Sequence, residues 1–225
     1  MDGARIAAKS AYGYAKSAQY VGLPHQLCRP SGTGSPVDPA RAMRTILFIS
    51  SANPIKAAFE KPSGYGKPLR YALVDVRMPV GGVPADALRV GDYITGSTGT
   101  YFAVSLTLNE DPQVVECNAV VDVLRSEGNS APGKQPYGGR RTTTDDLLLT
   151  RWPASVLRAG RTVAGRADLP GDVPDGGFEM LMPAVPGVTI RTSDRVTDNQ
   201  GRAFVVSSVE YTDLGVRAVL VLAAT

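Results

Sequence analysis

Alternating apolar and polar residues in two stretches of the chain predict two related β-hairpins. The stretches are residues 88–105 and 190–207. Each has an alternating half, then a turn rich in Gly, Asn, Asp or Ser, then an apolar run rich in β-branched and aromatic residues, which is typical of two strands joined by a tight turn. A further apolar run follows each hairpin. We therefore expect each unit to be a meander of at least three strands.

The two stretches repeat one another without a gap, which indicates an internal duplication. The identical pairs are Arg89/Arg191, Asp92/Asp194, Thr95/Thr197, Gly99/Gly201, Phe102/Phe204, Val104/Val206 and Ser105/Ser207. In this register, Phe102 and Phe204 are expected to be equivalent core residues, with Val104 and Val206 on the same face.

Asp92 and Asp194 are the acids that both copies share. Each could serve as a general base, but an Asp near the start of a strand commonly accepts hydrogen bonds from nearby backbone amides and fixes a turn. We favour this structural role. Arg89 and Arg191 either pair with these acids or face solvent.

The duplication predicts a mainly β fold, with two related small β-barrels or sandwiches preceded by one α-helix. Residues 1–22 form the helix, and residues 23–125 form the first module with an insertion at 31–67. Residues 126–149, rich in Gly, Pro and Ser, form a linker or arm, and residues 150–225 form the second module. The first strands are matched through LPHQLCRP at 23–30 and WPASVLRA at 152–159.

Residues 4–21 predict a helix, because the segment is rich in Ala and contains no Pro before Gly22. Its small and basic residues lie on separate strips, which are Ala4, Ala8, Ala11, Ala15 and Ala18, and Arg5, Lys9 and Lys16. Large apolar residues are few. The helix is therefore loosely attached or docked against another chain, or it is an ordinary helix that lies over a β-domain.

Charge is distributed unevenly along the chain of 225 residues. Residues 1–70 hold ten Lys or Arg against Asp2, Asp38 and Glu60. Such an excess fits phosphates or an acidic protein neighbour, but the interleaved aromatics of a single-strand binding groove are missing. No apolar run is long enough to cross a bilayer, and the N-terminus lacks a signal-peptide core. We expect a soluble protein made in the cytosol.

Few side chains offer chemistry. Cys28 and Cys117 are expected to be buried free thiols, with a disulfide as the alternative, and the single His25 does not complete a metal site or a triad. Nucleotide, metal and nucleophile motifs are missing from the sequence. Convergent carboxylates would have to come from residues such as Glu116, Asp122 and Asp75. The sequence predicts no catalytic residue, cofactor or metal.

Five phrases of the chain are distinctive: CRPSG at 28–32, KPLRYALVD at 67–75, VGDYITGSTGTYFAV at 90–104, WPASVLRAG at 152–160 and DRVTDNQGRAFVVSSVEYTDLGVRAVL at 194–220. They resemble uncharacterised structural proteins of tailed bacteriophages and prophages, which are encoded among head, neck and tail genes. The resemblance extends over most of the chain after the first helix. It implies a β-rich virion component without a cofactor, which forms a ring or attaches to one.

This resemblance and the long arms favour a position in the neck or tail, as a head-to-tail connection, tail tube or nozzle. Partners would be further copies of the chain, portal, adaptor or tail proteins, and non-specifically the DNA in the channel. The basic N-terminal third would dock on an acidic surface, and Arg140 and Arg141 would tie one subunit to the next. The alternative is a tail-tip, fibre-attachment or carbohydrate-active tail protein.

Overall fold

The computed structural model describes residues 3–51, 68–75, 87–107, 111–126, 145–158 and 177–223. The helix α1 spans Gly3–Val21, and a short 3-10 turn spans Pro39–Arg41. The first six strands are β1 (Leu23–Cys28), β2 (Ala42–Ser51), β3 (Leu69–Val74), β4 (Tyr93–Gly96), β5 (Gly99–Ser105) and β6 (Gln113–Cys117). The next six are β7 (Ala119–Ser126), β8 (Asp145–Arg158), β9 (Phe178–Met182), β10 (Arg195–Asp198), β11 (Ala203–Thr212) and β12 (Gly215–Leu222). The mainly β fold with one leading helix is confirmed.

The strands form two closed, antiparallel rings of six. Barrel 1 has the order β1-β2-β3-β6-β5-β4, and barrel 2 has the order β7-β8-β9-β12-β11-β10. The two orders are the same when six is added to each strand number. The structure therefore contains two modules of one topology, as the internal duplication predicts, and each strand has its equivalent six strands later.

The boundary between the modules differs from the sequence prediction. The apolar run at 114–124 is not one strand of the first module, because it breaks at Asn118 into β6 of barrel 1 and β7 of barrel 2. Barrel 2 thus begins at Ala119, and the predicted linker at 126–149 includes the end of β7 and the start of β8. Residues 127–144 lie outside the described part of the chain.

The matching of first strands was also wrong. The equivalent of β1 is β7, whereas residues 152–158 of the phrase WPASVLRA belong to β8, the second strand of barrel 2. The predicted insertion at 31–67 contains β2, which is an integral strand of barrel 1 and pairs with both β1 and β3. Residues 52–67 of this predicted insertion lie outside the described part of the chain.

The predicted hairpins are present as β4–β5 and β10–β11, but they are not equivalent residue by residue. Thr95 pairs with Thr100 across the first turn, whereas Thr197 pairs with Ala203 across the second, so the second loop is one residue longer. Consequently Tyr101, not Phe102, is the counterpart of Phe204. The β-bulges support this offset of one residue. The register shifts between Ala103 and Ser105 in barrel 1 and between Val206 and Ser208 in barrel 2, and these positions are equivalent when Tyr101 is matched with Phe204.

This one-residue offset reverses the predicted role of Phe102. Tyr101 and Ala103 point into barrel 1, and Phe204 and Val206 point into barrel 2. Phe102 and Val104 instead point out of barrel 1, because side chains alternate between the two faces of a strand. The prediction that Phe102 and Phe204 are equivalent core residues was therefore wrong, although both are buried.

The outward side chains of barrel 1 join the interior of barrel 2 in one apolar cluster. Tyr93 and Phe102 from barrel 1 share this cluster with Trp152, and the Tyr93 and Trp152 rings meet edge to face. Burial of so much apolar surface between the barrels holds them together as one body.

A connection of a single residue, Asn118, reinforces this union. Its side-chain amide donates to the Val156 oxygen at 2.9 Å, and its side-chain oxygen accepts from the Val156 nitrogen at 2.7 Å. Its backbone nitrogen donates to the Ala154 oxygen at 3.1 Å. Asn118 thus makes hydrogen bonds to β8 that resemble those between paired strands.

No helix in the described residues is long and apolar enough to span a membrane.

Candidate assembly surface

Asp92 and Asp194 lie in two matching ion-pair clamps. Asp92 accepts two hydrogen bonds from Arg29, both at 2.8 Å, and a third from the backbone amide of Arg89 at 2.8 Å. Asp194 does the same with Arg125, at 2.9 and 2.8 Å, and with the amide of Arg191 at 2.7 Å. The turn-fixing role expected for both acids is present in this geometry.

The clamps join distant parts of each barrel. The Arg29 guanidinium also donates to the Ala87 oxygen at 2.8 Å, and that of Arg125 donates to the Thr189 oxygen at 2.6 Å. Each clamp therefore ties the end of the first strand to the loop that leads into the fourth. Both carboxylates are almost fully buried, and the Asp92 hydrogen bond raises the pKa of Arg29 as the Asp194 hydrogen bond raises that of Arg125.

The partner arginines were missed at the sequence level. Of the two alternatives for Arg89 and Arg191, exposure to solvent is the one observed, and only their backbone amides bind the acids. The sequence feature that could have identified them is only three residues long. In each copy an Arg follows two apolar residues of the first strand, at Leu27-Cys28-Arg29 and Val123-Leu124-Arg125. A break in the apolar run at Asn118 had to be recognised before these segments could be aligned.

The helix α1 lies on β2 and β3 of barrel 1. Ala15 and Ala18 are its buried side chains among those described, and the side chains of Ala4, Ala8 and Ala11 lie outside the description. At its end, the Gly22 nitrogen donates to the Ala18 oxygen at 2.8 Å. The helix therefore packs on its own barrel through small residues.

The basic residues predicted for α1 are brought together on its exposed side. Arg5, Lys9 and Lys16 are all exposed, and α1 contains no acidic residue. Tyr12 and Tyr20, at 54% and 79% exposure, lie on the same helix. This surface carries three positive charges beside apolar rings, which is suited to an acidic protein surface. Arg140 and Arg141 lie outside the described residues.

The three carboxylates that could have converged on a catalytic site each bind a different partner within the fold. Glu116 pairs with Arg70, Asp122 accepts the backbone amide of Arg151 at 2.6 Å, and Asp75 accepts that of Leu47 at 3.0 Å. Across the part of the chain that the structure describes, no three His, Cys, Asp or Glu side chains are grouped so as to hold a metal ion.

His25 and both cysteines take structural places. His25 is buried, with Nδ1 2.9 Å from the Leu23 oxygen and Nε2 2.7 Å from the Thr98 hydroxyl, and its ring meets Phe48 edge to face. Cys28 and Cys117 are free thiols, as expected, although Cys117 is only half-buried by exposure. Burial raises the pKa of both thiols, so they are kept in the weakly reactive protonated form.

Comparisons with known proteins give no relative. No protein-family model matches the chain, and neither a curated protein nor a solved structure matches it.

Proposed function

We propose that this chain is a non-enzymatic structural component of a tailed-bacteriophage particle, which forms a ring in the neck or tail or attaches to one. The observation that carries this proposal is the union of two barrels of one topology into one body. A subunit of a ring has to hold the surface for one neighbour at a fixed position relative to the surface for the next. A shared apolar core and a one-residue connection meet that requirement.

The use of the charged groups supports a structural role. Asp92 and Asp194 are the acids that both copies share, and each is held by an Arg and a backbone amide. The carboxylate oxygens are therefore engaged in holding loops. A general base needs a lone pair that faces a substrate, whereas these groups point into hydrogen bonds of the fold.

The exposed side of α1 supports a protein partner in the same particle. Its three basic side chains fit an acidic surface on a portal, adaptor or tail protein, and long-range attraction of this kind speeds docking. Non-specific contact with DNA in a channel would draw on the same charges. A ring of copies in the neck or tail would bring many such helices together on one side.

Mass spectrometry of purified particles tests this role. Particles are prepared from a host that carries the gene and from one in which the gene is deleted, and the peptides of the chain are quantified against the major capsid protein. We expect the chain in fixed stoichiometry in intact particles, and tailless heads when the gene is deleted. Complete particles without the chain would contradict the proposal.

A further inference from the structure

The side of barrel 1 that contacts barrel 2 is a row of apolar residues on neighbouring strands. This barrel 1 row consists of Ala42, Cys28, Tyr93, Phe102 and Val115, each of which pairs with the next. The last four are buried, and they belong to the cluster that includes the interior of barrel 2. The row is therefore the interface that one barrel presents to the next.

Barrel 2 carries the equivalent row on its own outward side. The barrel 2 row consists of Leu147, Leu124, Arg195, Val205 and Val221, again paired in succession. Leu147 is 51% exposed, Leu124, Val205 and Val221 are half-buried, and Arg195 is exposed and pairs with Asp145 at 2.7 Å. Four of the five residues are apolar, against all five in barrel 1, and among the described residues this row is only partly covered.

The barrel 1 row meets a defined place on barrel 2. The Tyr93 hydroxyl donates to the Pro153 oxygen at 2.7 Å, and a Cβ built on Gly91 would lie 3.5 Å from the Cβ of Pro183. Pro153 is in β8, and Pro183 directly follows β9. We name this place the Pro153–Pro183 site.

Barrel 1 has the equivalent place at Leu47 and Asp75, and α1 covers it. Leu47 is in β2, and Asp75 directly follows β3. The Asp75 backbone nitrogen donates to the Leu47 oxygen at 3.1 Å, which joins the two residues. The C-terminal end of α1 contacts Leu47 at Gly22, and Asp75 shares a small surface cavity with Ala15 and Lys16 of α1. We name this place the Leu47–Asp75 site.

The chain is thus a short series of barrels with different ends. Barrel 1 sits on barrel 2 through the row and the Pro153–Pro183 site, α1 closes the Leu47–Asp75 site at one end, and the barrel 2 row is open at the other. In repeated folds, terminal caps of this kind stop the addition of further units. Among the described side chains of α1, Ala15 and Ala18 are buried and Tyr14 is half-buried with a hydrogen bond to Asp111, whereas the other large apolar side chains are exposed.

We infer that the barrel 2 row binds the Leu47–Asp75 site of a second copy of this chain, in the place that α1 occupies. The contact is head to tail, so it generates a ring when the rotation closes and a filament when it does not. Displacement of α1 is the step that permits it. This inference rests on the proposed assembly role, because it states which surfaces join one copy to the next.

Analytical ultracentrifugation of the full-length chain at rising concentration tests the inference. Ala18→Arg puts a charged side chain where Ala18 is fully buried, so α1 leaves its site. We expect the weight-average mass to rise at least about twofold above the 23.7 kDa monomer. Adding Val205→Glu in the barrel 2 row should return the double variant to the monomer.

Leu214→Glu is the matched control for Val205→Glu. Leu214 is also an apolar residue of barrel 2, 48% exposed, but it lies in the β11–β12 turn outside the row. It should leave the association of Ala18→Arg unchanged. Association that survives Val205→Glu, or that Leu214→Glu abolishes equally, would overturn the inference.

A second variant lifts α1 by a different route. A Cβ at Gly22 would lie 2.5 Å from the Ala18 oxygen and 2.9 Å from the Phe48 nitrogen, so Gly22→Ala forces the helix end away from β2. Circular dichroism confirms that either variant keeps its strands. If the folded variants stay monomeric at all concentrations, the inference is wrong.

The two proposals fail separately. The mass of the purified chain does not depend on its presence in particles. Complete particles without the chain would remove the proposed function and leave the head-to-tail contact, whereas monomeric variants would remove the contact alone.

Discussion

The Arg–Asp clamps show what single residues contribute to this fold. In each barrel a buried carboxylate meets a guanidinium with two parallel hydrogen bonds, the geometry that gives charge-assisted pairs their strength. The loss of one partner leaves a buried charge, which costs far more than an exposed ion pair contributes. The clamps are therefore the residues at which a small change should have the largest effect.

Arg29→Ala should lower the free energy of unfolding by roughly 2–4 kcal/mol, because Asp92 keeps only its backbone partners. Urea denaturation followed by tryptophan fluorescence measures it. The control is Arg89→Ala, which removes the same formal charge from an exposed side chain and keeps the amide that binds Asp92. Equal losses in the two variants would show that the clamp has no special role.

Asp111 gives a pH-dependent prediction. Burial raises the pKa of this carboxyl, although a hydrogen bond with Tyr14 opposes the rise. The folded state therefore binds the proton more tightly than the unfolded state does, so this stabilising effect is present below the ordinary carboxyl pKa and is lost as the pH rises through the raised value.

At neutral pH the folded state has to keep a negative charge on the buried Asp111, which lowers its stability. Asp111→Asn removes this cost, because an amide carries no charge. We expect the variant to melt at a higher temperature than the unaltered chain at pH 7, and the difference to vanish near pH 3.5, below the ordinary Asp pKa of about 3.9. Differential scanning calorimetry at both pH values measures it, with the exposed Asp213→Asn as control. A difference that does not change with pH would contradict the assignment.

The strand elements show where the sequence was sufficient. Alternation and turn residues predicted the β4–β5 and β10–β11 hairpins, since both signals are local. The run at 114–124 predicts one strand, because it is rich in β-branched apolar residues and contains no Gly or Pro that would mark a break. Asn118 ends one barrel and begins the next through hydrogen bonds to β8, and those partners are distant in sequence.

Two further features escaped the sequence for physical reasons. The one-residue difference between the hairpin loops leaves the sequence match gapless, yet it moves Phe102 from the inside of a barrel to the outside. The clamp partners Arg29 and Arg125 are more than sixty residues from their acids, so only the closed barrels bring them together. Exposure of Arg5, Lys9 and Lys16, in contrast, agrees with the basic ridge expected from helical periodicity.

Asn118→Ala tests the junction element. It leaves the backbone groups of Val156 without their side-chain partners, and the loss of these two partly buried hydrogen bonds costs about 1–3 kcal/mol. Gln26→Ala is the control, because it removes an exposed side-chain contact with Thr45 and should cost less than about 0.5 kcal/mol. Thermal unfolding measures both variants. An Asn118→Ala variant as stable as the control would show that the Asn118 side chain does not stabilise the junction between the barrels.

At the scale of the whole molecule, the duplication has produced two barrels that do not act as independent domains. The outward row of barrel 1 became an interface, whereas the equivalent row of barrel 2 stayed partly exposed. Tyr93 and Arg195, at equivalent positions of the two rows, mark the difference, since Tyr93 is buried and Arg195 is exposed. The molecule thus has one joined side, one capped side and one open side.

A cryo-EM map of the neck and tail of the particle tests the virion role most directly. The account predicts a ring in which each subunit shows two adjoining six-stranded barrels, with the basic side of α1 turned toward the portal or another acidic neighbour. A map of complete particles that contains no such double barrel in the neck or tail would contradict it.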